Sequence, residues 1–444
     1  MNDNEKNLRR HLTKNGASSS AEIQAALKVS QATVSRLVAD MQDAVVKLGA
    51  GRSTVYAVAN PIGKYAAQQP IWAIDETGGV QRVGTLTHLE KSEIYIQSDG
   101  INTLFAPSAK SELPWYLTPL RAQGFLGQVL AQSLAPHDVD PHPERWGTPE
   151  ILLSALFTHD APGALLIGDS AIKPASVPRP LPAADLGAAL DELARDVAKH
   201  HAAGSSAGGD QPKFMATTEQ GGHLLIKFSP PRGTPFGDRW GDLLLAEVLC
   251  NESLEQHGLR VAKNRIVQTE NRTYLLSERF DRIGKSGRKH VVSIGSAHAG
   301  WVQGSYTSWS STCDALHRQG HLRQKDAQDI SDIAQFGRLT GNNDMHSGNA
   351  SLFVLGHTLT EMSKGQFELA PVYDMLPMRW RPLRDLGLPE YAPFSVNEMV
   401  STALARKAAK HFWASLSAHQ LASEPLRQVA NTMASSIPCA PKPE

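Results

Sequence analysis

Cysteine is scarce in this chain of 444 residues, and no uninterrupted apolar run reaches the roughly 18 residues that a membrane span needs. The three cysteines are widely spaced, form no Cys-x-x-Cys pair and leave an odd one that no intrachain disulfide can use: Cys250, Cys313 and Cys439. The first residues, Met1 to Leu12, lack the apolar core of a signal peptide. These absences predict a protein of the reducing cytoplasm that is neither secreted nor inserted in a membrane.

A net charge is also missing, because 44 lysine and arginine residues balance 44 aspartate and glutamate residues. Any affinity for nucleic acid must therefore come from a local patch. The length disfavours one compact core and predicts about two to four domains. From about residue 184 to the end, strand-like and long helical segments alternate. The expected fold class is α+β with several domains.

The first sixty residues predict a winged helix-turn-helix. A short helix over Ala21 to Leu27 and a turn precede a second helix, which Ser30 caps and which runs to about Met41. Two β-prone runs, 45–48 and 53–58, then form a hairpin around Arg52. The second helix buries one apolar stripe and turns four polar residues outward: Gln31, Thr33, Ser35 and Arg36.

This predicted domain, residues 1–62, is expected to bind duplex DNA, with the second helix in the major groove and Arg52 on the backbone or in the minor groove. Eight basic residues stand against five acidic ones up to residue 60. One copy should therefore bind weakly, and two copies on a two-fold site, as a homodimer, are expected. The alternative is a winged helix used only for protein–protein contact.

Residues 70–183 are predicted to form a small mixed α/β subdomain that carries no chemical motif. Short strand-like runs occur at 71–74, 83–86 and 94–96, and an apolar helical stretch spans Gly124 to Leu134. A proline-rich run from Lys173 to Pro182 is typical of a linker. The third predicted domain covers residues 184–444.

Phosphoryl transfer requires a cation on the nucleotide phosphates, oxygen ligands for Mg²⁺ and a carboxylate beside the acceptor hydroxyl. Asp344 and Asn349 are five residues apart, which matches the kinase catalytic-loop spacing D-x-x-x-x-N. Asp344 would be the base and Asn349 a metal ligand. Asp374, 25 positions later, stands where a kinase has its principal Mg²⁺ carboxylate, although the usual Phe-Gly does not follow. Polar surface turns are the alternative for both segments.

A lysine and a glutamate further upstream extend the pattern. Lys227 lies on the strand-like run 223–228 and resembles the kinase lysine that holds the α- and β-phosphates. Glu247 lies in the apolar part of a helix over Trp240 to Gln256, and Lys227 is its expected partner because burial of an unpaired glutamate is costly. An edge-strand lysine and a surface glutamate are the alternatives.

A small glycine-containing segment from Ser205 to Lys213 precedes the lysine strand and could bring backbone N–H groups to phosphate oxygens. It lacks the Walker A spacing. The order of glycine loop, strand lysine, helical glutamate, D-x-x-x-x-N and metal aspartate is improbable by chance.

These segments resemble the HipA-like serine/threonine kinases, a family of type II toxins, over roughly residues 75–430. The family's N-D-x-H-x-x-N motif is met by Asn343 to Asn349, its Y-D-x-L motif by Tyr373 to Leu376, and its glutamate-arginine-aromatic-aspartate-arginine motif by Glu278 to Arg282. Its phosphate-loop pattern S-x-x-G-x-Q-x-K is met by four residues: Ser206, Gly209, Gln211 and Lys213.

The resemblance implies an ATP- and Mg²⁺-dependent kinase that phosphorylates a serine or threonine of a cytoplasmic protein, with the translation machinery as target class. It implies that Glu278 and Phe280 line the adenine end of the ATP pocket and that His346 lies near the nucleotide. It makes Ser206 the autophosphorylation site, although Ser205 is adjacent. Toxins of this family normally pair with a separate helix-turn-helix antitoxin, whereas here the DNA-binding module is fused to the kinase, which indicates autoregulation by the single chain.

Two other functional classes stay open. A DNA-binding transcriptional regulator with a kinase-like ligand sensor would be expected to have lost some of the catalytic residues, and none is lost: Lys227, Asp344, Asn349 and Asp374. A small-molecule phosphotransferase of the aminoglycoside or choline type shares the catalytic logic, but the S-x-x-G-x-Q-x-K loop disfavours it.

Overall fold

The computed structural model describes residues 2–42, 44–49, 51, 54–108, 111–169, 172, 180–200, 211–383, 387–396 and 399–438. Within these ranges the protein is built of helices and antiparallel sheets, as the α+β expectation requires. The described residues fall into four regions: the N-terminal module (2–58), the middle part (62–169), the small lobe (181–278) and the large lobe (282–438). No helix in the described ranges has the length and apolar character needed to cross a membrane.

The N-terminal module consists of three helices followed by a hairpin. Its elements in chain order are α1 (Asp3–Asn15), β1 (Ser18–Ser19), α2 (Ser20–Leu27), α3 (Gln31–Asp40), β2 (Val45–Leu48) and β3 (Val55–Val58), with the sheet order β1-β3-β2. Ser30 caps α3, as predicted, by accepting a hydrogen bond from the N–H of Thr33 at 3.3 Å. The two predicted helices and the antiparallel pairing of the two β-prone runs are present, while Arg52 lies outside the described residues.

One side chain of α3 departs from the prediction. Gln31, Ser35 and Arg36 are exposed, but Thr33 is only half exposed, and its hydroxyl lies 3.1 Å from that of Ser30. Ser and Thr hydroxyls near a helix start bond readily to neighbouring cap groups. Thr33 therefore belongs to the cap of α3 rather than to its outward polar face.

The sequence pattern does not predict α1 or β1. Most of α1 is polar, because Leu8 and Leu12 are its buried residues and its apolar stripe is correspondingly short. The helix begins at a capping box, in which Asn2 and Glu5 each accept a hydrogen bond at 2.9 Å from the other's backbone N–H. β1 has two residues and is defined by its pairing with β3.

The middle part is a five-stranded antiparallel sheet with short helices beside it. Its strands and helices are β4 (Gln68–Ile74), β5 (Val80–His88), β6 (Ile94–Ser98), β7 (Ile101–Phe105), α4 (Gly124–Ser133), α5 (Thr148–Ala155) and β8 (Leu165–Ile167), with the sheet order β7-β6-β5-β4-β8. A 3₁₀ segment, Trp115–Leu120, precedes α4. The predicted strand-like runs lie within β4, β5 and β6, and the predicted helical stretch corresponds to α4.

The small lobe carries a four-stranded antiparallel sheet and one long helix. Its elements are α6 (Leu186–His200), β9 (Lys213–Thr217), β10 (His223–Phe228), α7 (Pro235–Gln256), β11 (Asn264–Gln268) and β12 (Thr273–Glu278), with the sheet order β11-β12-β10-β9. Leu181, which falls in the predicted linker, bridges to Thr218 and is buried in the core of this lobe. The small lobe therefore includes the last residues of the proline-rich run.

The large lobe is mainly helical and surrounds two small sheets. Its elements are β13 (Arg282–Ile283), β14 (Gly287–Arg288), β15 (Val291–Ser293), α8 (Ile294–Trp301), α9 (Trp309–Arg318), α10 (Gln324–Leu339), β16 (Ser351–Val354), α11 (Leu359–Met362), β17 (Phe367–Leu369), α12 (Ala403–Ala418) and α13 (Glu424–Ser436). β13 pairs with β14, and β16 lies between β15 and β17.

One hydrophobic core crosses from the middle part into the large lobe. Its members range from Ile62 to Ile437 and include buried residues of both regions and of α7. Trp115 of the middle part packs against Trp301 and Phe367 of the large lobe, with ring centroids 6.1 and 5.4 Å apart. The sheet of the small lobe has a separate core. The middle part and the large lobe therefore share one hydrophobic core.

Candidate active site

Lys227 lies at the centre of the candidate site, on β10 in the middle of the small-lobe sheet. Its side chain is 7% exposed, and its ammonium Nζ donates hydrogen bonds to both carboxylate oxygens of Glu247, at 2.8 and 2.7 Å. The same nitrogen lies 2.5 Å from Oδ1 of Asp374. The predicted pairing of Glu247 with Lys227 is present, and Asp374 is the second partner.

Glu247 is held by α7, where its side chain is 3% exposed. It also accepts a hydrogen bond from the backbone N–H of Asp374 at 3.3 Å. A single carboxylate therefore ties the strand that carries Lys227 to the loop that carries Asp374. A buried glutamate without these donors would be strongly destabilising.

The charges of this trio are set by burial and by their neighbours. Burial opposes the charge of Lys227, but Asp374 and Glu247 outweigh it and hold the pKa of the lysine above its usual range. Burial also opposes ionisation of Asp374, yet Lys227 and Lys213 outweigh it and lower the pKa of that carboxyl. Burial raises the pKa of Glu247, against the attraction of Lys227. With both carboxylates ionised, the trio carries one net negative charge.

Tyr373 fixes the position of the loop that carries Asp374. Its hydroxyl donates to the backbone oxygen of Gly348 at 2.7 Å, so the hydroxyl of Ser351, also at 2.7 Å, must be the donor in their shared bond. Burial raises the pKa of Tyr373 to about 12, which keeps the hydroxyl protonated. Asp374 itself has a φ of 57°, a left-handed conformation that side-chain-bearing residues other than Asn and Asp seldom adopt. The Y-D-x-L segment is therefore anchored directly to the D-x-x-x-x-N loop.

The D-x-x-x-x-N loop is held by its own polar side chains. The N–H of Asp344 donates to Oδ1 of Asn342 at 3.0 Å, and Nδ2 of Asn349 donates to the backbone oxygen of Asp344 at 2.8 Å. The carboxylate of Asp344 is 35% exposed and lies 3.9 Å from the guanidinium of Arg381. These contacts use the main chain of Asp344 and leave its carboxylate directed towards solvent-accessible space.

The phosphate-loop residues are described only in part. Ser206 and Gly209 lie outside the described residues. Gln211 is buried and donates through Nε2 to the backbone oxygen of Phe228. Lys213 on β9 is paired in register with Lys227 on β10, and its charge contributes to the lowered pKa of Asp374. Two lysines therefore lie on neighbouring strands beside the same carboxylate.

The residues implied for the adenine end lie at the junction of the two lobes. Glu278 is exposed at the end of β12, and its N–H donates to the backbone oxygen of Lys263 at 2.8 Å. Phe280 packs against Tyr373, with ring centroids 5.6 Å apart. His346 accepts through Nδ1 from the N–H of Gly348 at 3.1 Å, which places its ring on the D-x-x-x-x-N loop.

The described residues contain no ready-made cluster of three His, Cys, Asp or Glu side chains for a metal ion. Mg²⁺ in kinase sites is usually held by one or two protein carboxylates together with substrate phosphates and water. Asp374 is 35% exposed, and Asn349 uses its nitrogen for Asp344, which leaves its amide oxygen as the group to face a cation. The net negative charge of the lysine and carboxylate trio also favours a divalent cation. The donor set therefore fits Mg²⁺ bound together with a nucleotide.

Several residues of the site were not found from the sequence. Asn342, which supports Asp344, has no signal beyond its place in a polar run. Arg279 and Arg282 lie within a recognised motif, but their shared partner is Asp160, in a stretch of the middle part that shows no motif. A sequence pattern marks what lies along one segment, whereas the contacts of Asp160 join segments more than a hundred residues apart.

A buried lysine on the small-lobe sheet, its glutamate on the following helix and two loops that meet between the lobes define a protein-kinase-like fold and site. The chain belongs to the HipA-like toxin family. The family described as the HipA-like C-terminal domain matches residues 205–440, and the family described as the middle domain of YjjJ-like toxins matches residues 65–175.

One curated relative and one solved structure show how far the similarity extends. Toxin YjjJ of Escherichia coli (strain K12) is 33% identical over 439 residues, which cover 95% of each chain. A structure of the Shewanella oneidensis MR-1 complex of HipA, HipB and operator DNA matches with a TM-score of 0.53 at 14% identity, over 83% of this chain and 96% of that chain. The second match shows a shared fold.

Proposed function

We propose that this protein is an ATP- and Mg²⁺-dependent serine/threonine protein kinase of the HipA toxin type. The observation that carries the proposal is the position of Lys227 Nζ, 2.7 Å from Glu247 and 2.5 Å from Asp374. In protein kinases the lysine–glutamate pair and the metal aspartate must be in place together before transfer can occur. A degenerate sensor domain would have no need to keep this arrangement.

Each proposed role follows from the position and chemistry of the side chain. Lys227 and Lys213 hold the nucleotide phosphates, and Glu247 keeps Lys227 extended towards them. Asp344 accepts the proton of the acceptor hydroxyl, because its carboxylate is accessible while its main chain is fixed. Ser206, Gly209 and Gln211 form the phosphate loop, while Glu278, Phe280 and His346 line the nucleotide pocket.

Asp374 and Asn349 are the residues that would hold Mg²⁺. The ion would supply positive charge to the phosphate oxygens as the bond to the leaving group breaks. The chain's own residues orient the nucleotide, hold the acceptor hydroxyl beside Asp344 and exclude part of the solvent from the Lys227 side.

The proposed acceptor is a serine or threonine of a cytoplasmic protein, with the translation machinery as the target class, and the protein's own Ser206 is a second acceptor. A cytoplasmic setting fits the two described thiols, Cys250 and Cys313, which are buried and free. The deciding experiment incubates the purified protein and its Asp344→Asn variant with γ-labelled ATP and cell lysate. Label on a protein serine or threonine, present only with the wild type, supports the proposal.

The same experiment distinguishes the competing functional hypotheses. Label found only on a small molecule would indicate a phosphotransferase of the aminoglycoside or choline type. Absence of any transfer, together with Mg·ATP binding, would indicate a regulator that uses the kinase-like domain as a sensor. Ser205→Ala and Ser206→Ala variants then assign the autophosphorylated residue.

A second function, DNA binding by residues 1–62, is favoured by the charge on two helices. Arg36 is exposed on α3, and four cations spaced at helical intervals lie exposed on one face of α1: Lys6, Arg9, Arg10 and Lys14. The opposite face of α1 packs inward through Leu8 and Leu12. We propose that α3 enters the major groove while α1 contacts the phosphate backbone, and that two copies bind a two-fold site.

The proposed domains are residues 1–62, 70–183 and 184–444.

A further inference from the structure

We propose that Asp160, on the middle part, is a positioning residue for the nucleotide pocket and acts through the arginines of the Glu278 to Arg282 motif. The inference rests on the proposed nucleotide binding and assigns a role in it to the middle part, which carries no catalytic motif. Asp160 touches neither the lysine trio nor the catalytic loop in the structure. Its effect must pass through the residues between them.

Asp160 is the point at which two guanidinium groups meet. One of its carboxylate oxygens accepts from Nη1 of Arg279 at 2.6 Å and from Nη2 of Arg282 at 2.8 Å. Arg282 also donates to the backbone oxygen of Ala161 at 2.7 Å. Both arginines are almost entirely buried, with side chains 7% and 2% exposed.

Asp281 completes the network from the kinase side. Its carboxylate accepts from Arg279 at 3.0 and 2.9 Å, from Arg282 at 2.5 Å, and from the N–H of Gly163 at 2.9 Å. Burial opposes the charge of Asp281, but the two arginines outweigh it and lower its pKa to about 2. Two arginines and two aspartates, with Asp160 44% exposed, thus form one ion-pair network across the interface between the middle part and the kinase lobes.

The remaining residues of this motif belong to the nucleotide side. Arg279 and Asp281 contact the middle part, whereas Phe280, between them, packs against Tyr373 with ring centroids 5.6 Å apart. Tyr373 is followed directly by Asp374. A shift of the loop that carries Arg279 and Asp281 therefore displaces Phe280, and with it the support of the metal-binding loop.

A second contact keeps the same loop in place from its other end. The N–H of Arg288, on β14, donates to the backbone oxygen of Asp75 at 2.9 Å, and its guanidinium donates to the backbone oxygen of His159 at 2.7 Å. Gly287 lies so close to the backbone of Glu76 that a Cβ there would overlap it at 2.1 Å. The middle part therefore holds the segment after β12 at both ends.

Loss of the Asp160 charge would leave two buried guanidiniums sharing one carboxylate. The pair would then repel each other in a medium that screens charge poorly. The motif is expected to relax away from the middle part, which loosens the pocket at Phe280 without changing any group that contacts the reacting phosphate.

The test compares Asp160→Asn with a control on the same interface. Glu76→Gln removes an exposed ion pair with Lys289, at 3.6 Å with side chains 54% and 38% exposed, and should change little. Calorimetric titration with Mg·ATP should show affinity about tenfold weaker in Asp160→Asn. The KM for ATP should rise by a similar factor while kcat at saturating ATP stays close to the wild-type value. Asp160→Glu, which restores the charge, should recover most of the affinity.

If a folded Asp160→Asn protein keeps the wild-type affinity for Mg·ATP and shows only a lower Tm, the inference is overturned. Asp160 would then contribute to stability alone. If Asp160→Asn does not fold, Arg282→Lys provides the same comparison, since lysine keeps the charge but cannot reach Asp160 and Ala161 together. A wild-type protein that does not bind Mg·ATP would instead contradict the proposed function, so the two failures are distinguishable.

Discussion

Asp344 is anchored through its main chain, by Asn342 and Asn349, while its carboxylate takes part in one loose contact with Arg381. Replacement by asparagine should therefore keep the loop and remove only the proton acceptor. We expect Asp344→Asn to lower phosphoryl transfer by about a hundred- to ten-thousand-fold while Mg·ATP binding survives. Steady-state kinetics and a binding titration on the same preparation check this, and undiminished turnover would remove Asp344 from the catalytic role.

Asp374 is a proposed metal ligand and also has a left-handed backbone conformation. Two replacements, alanine and asparagine, therefore have to be compared. Asp374→Ala should weaken Mg·ATP binding at least about tenfold, because a hard cation loses an anionic oxygen. Asp374→Asn should lose the charge but keep the left-handed conformation, which asparagine tolerates. If both variants bind Mg·ATP with wild-type affinity, another carboxylate holds the metal.

His290 is a buried neutral histidine that joins the large lobe to the middle part. Its Nδ1 accepts from the N–H of Ala164 at 3.3 Å, so Nε2 must be the nitrogen that donates to the backbone oxygen of Tyr116 at 2.9 Å. Burial lowers its pKa to about 4, below the usual value of the unfolded chain. Between those two values the unfolded state binds the extra proton, so this contribution to stability is complete near pH 7 and is lost as the pH falls towards 4.

The loss at His290 should reach about 3 kcal/mol at full extent. His290→Gln offers one donor and one acceptor without a titrating group, and is expected to show a flatter dependence of unfolding free energy on pH between 6.5 and 4. Urea unfolding of both proteins across that range measures the difference. Parallel curves would show that other groups carry the acid sensitivity.

For single residues, the sequence predicts which side chains carry the chemistry better than it predicts which side chains hold them in place. Lys227 and Glu247 could be paired because a buried charge needs a partner, and Asp374 could be named because catalytic spacing restricts the choice. The contact between Asp374 and Lys227 was not predicted. Asn342 and Asp160 could not, since neither belongs to a pattern that repeats along the chain. The importance of Asp160 comes from contacts made only after distant segments fold together, whereas Asn342 acts through a local bond to the N–H of Asp344.

Among the elements, α1 and α3 allow the proposed DNA binding to be divided into two contributions. Arg36→Ala, on the proposed groove helix, should weaken binding and change the preference among sequences. A double change of Lys6 and Arg10 to alanine should weaken binding to every sequence and lower the slope of log K against log salt by about 1.8. Arg318→Ala, an exposed arginine of the large lobe, serves as the matched control.

A fluorescence titration with genomic fragments at several salt concentrations separates these effects. If the intact protein binds no fragment at low salt and the variants give the same result as the wild type, the N-terminal module is a docking or autoregulatory domain. A role for Arg52 can be tested in the same series.

Element prediction succeeded where one pattern decided the structure. The capped helix α3 and the hairpin after it follow from a serine cap, an apolar stripe and two short β-prone runs. α1 was missed because only Leu8 and Leu12 mark its buried side, and β8 because a three-residue strand offers no period to read. Tertiary contacts define β8, whereas α1 also has a local signal in the capping box of Asn2 and Glu5.

For the molecule as a whole, the continuous core from the middle part to the large lobe predicts joint unfolding of these two regions. Hydrogen exchange followed by mass spectrometry in increasing denaturant should show β6 and α12 losing protection at the same concentration. The control is α3, whose module has a core of its own. Clearly separate midpoints for β6 and α12 would show that the two regions fold independently.

The connection between the N-terminal module and the middle part has a mechanical consequence. Ala59 bridges to Leu89, the N–H of Asn60 donates to the backbone oxygen of His88 at 3.0 Å, and Leu48 and Ala57 are buried against Leu89 and Tyr95. When a DNA-binding module is joined by a flexible linker, the domain attached to it can occupy a wide volume around the DNA. Here a bound duplex would carry the kinase lobes at one distance and one angle. Two copies on a two-fold operator would then hold their nucleotide pockets at a separation set by the helical repeat of the DNA, a spacing that distance measurements between paired spin labels can read directly.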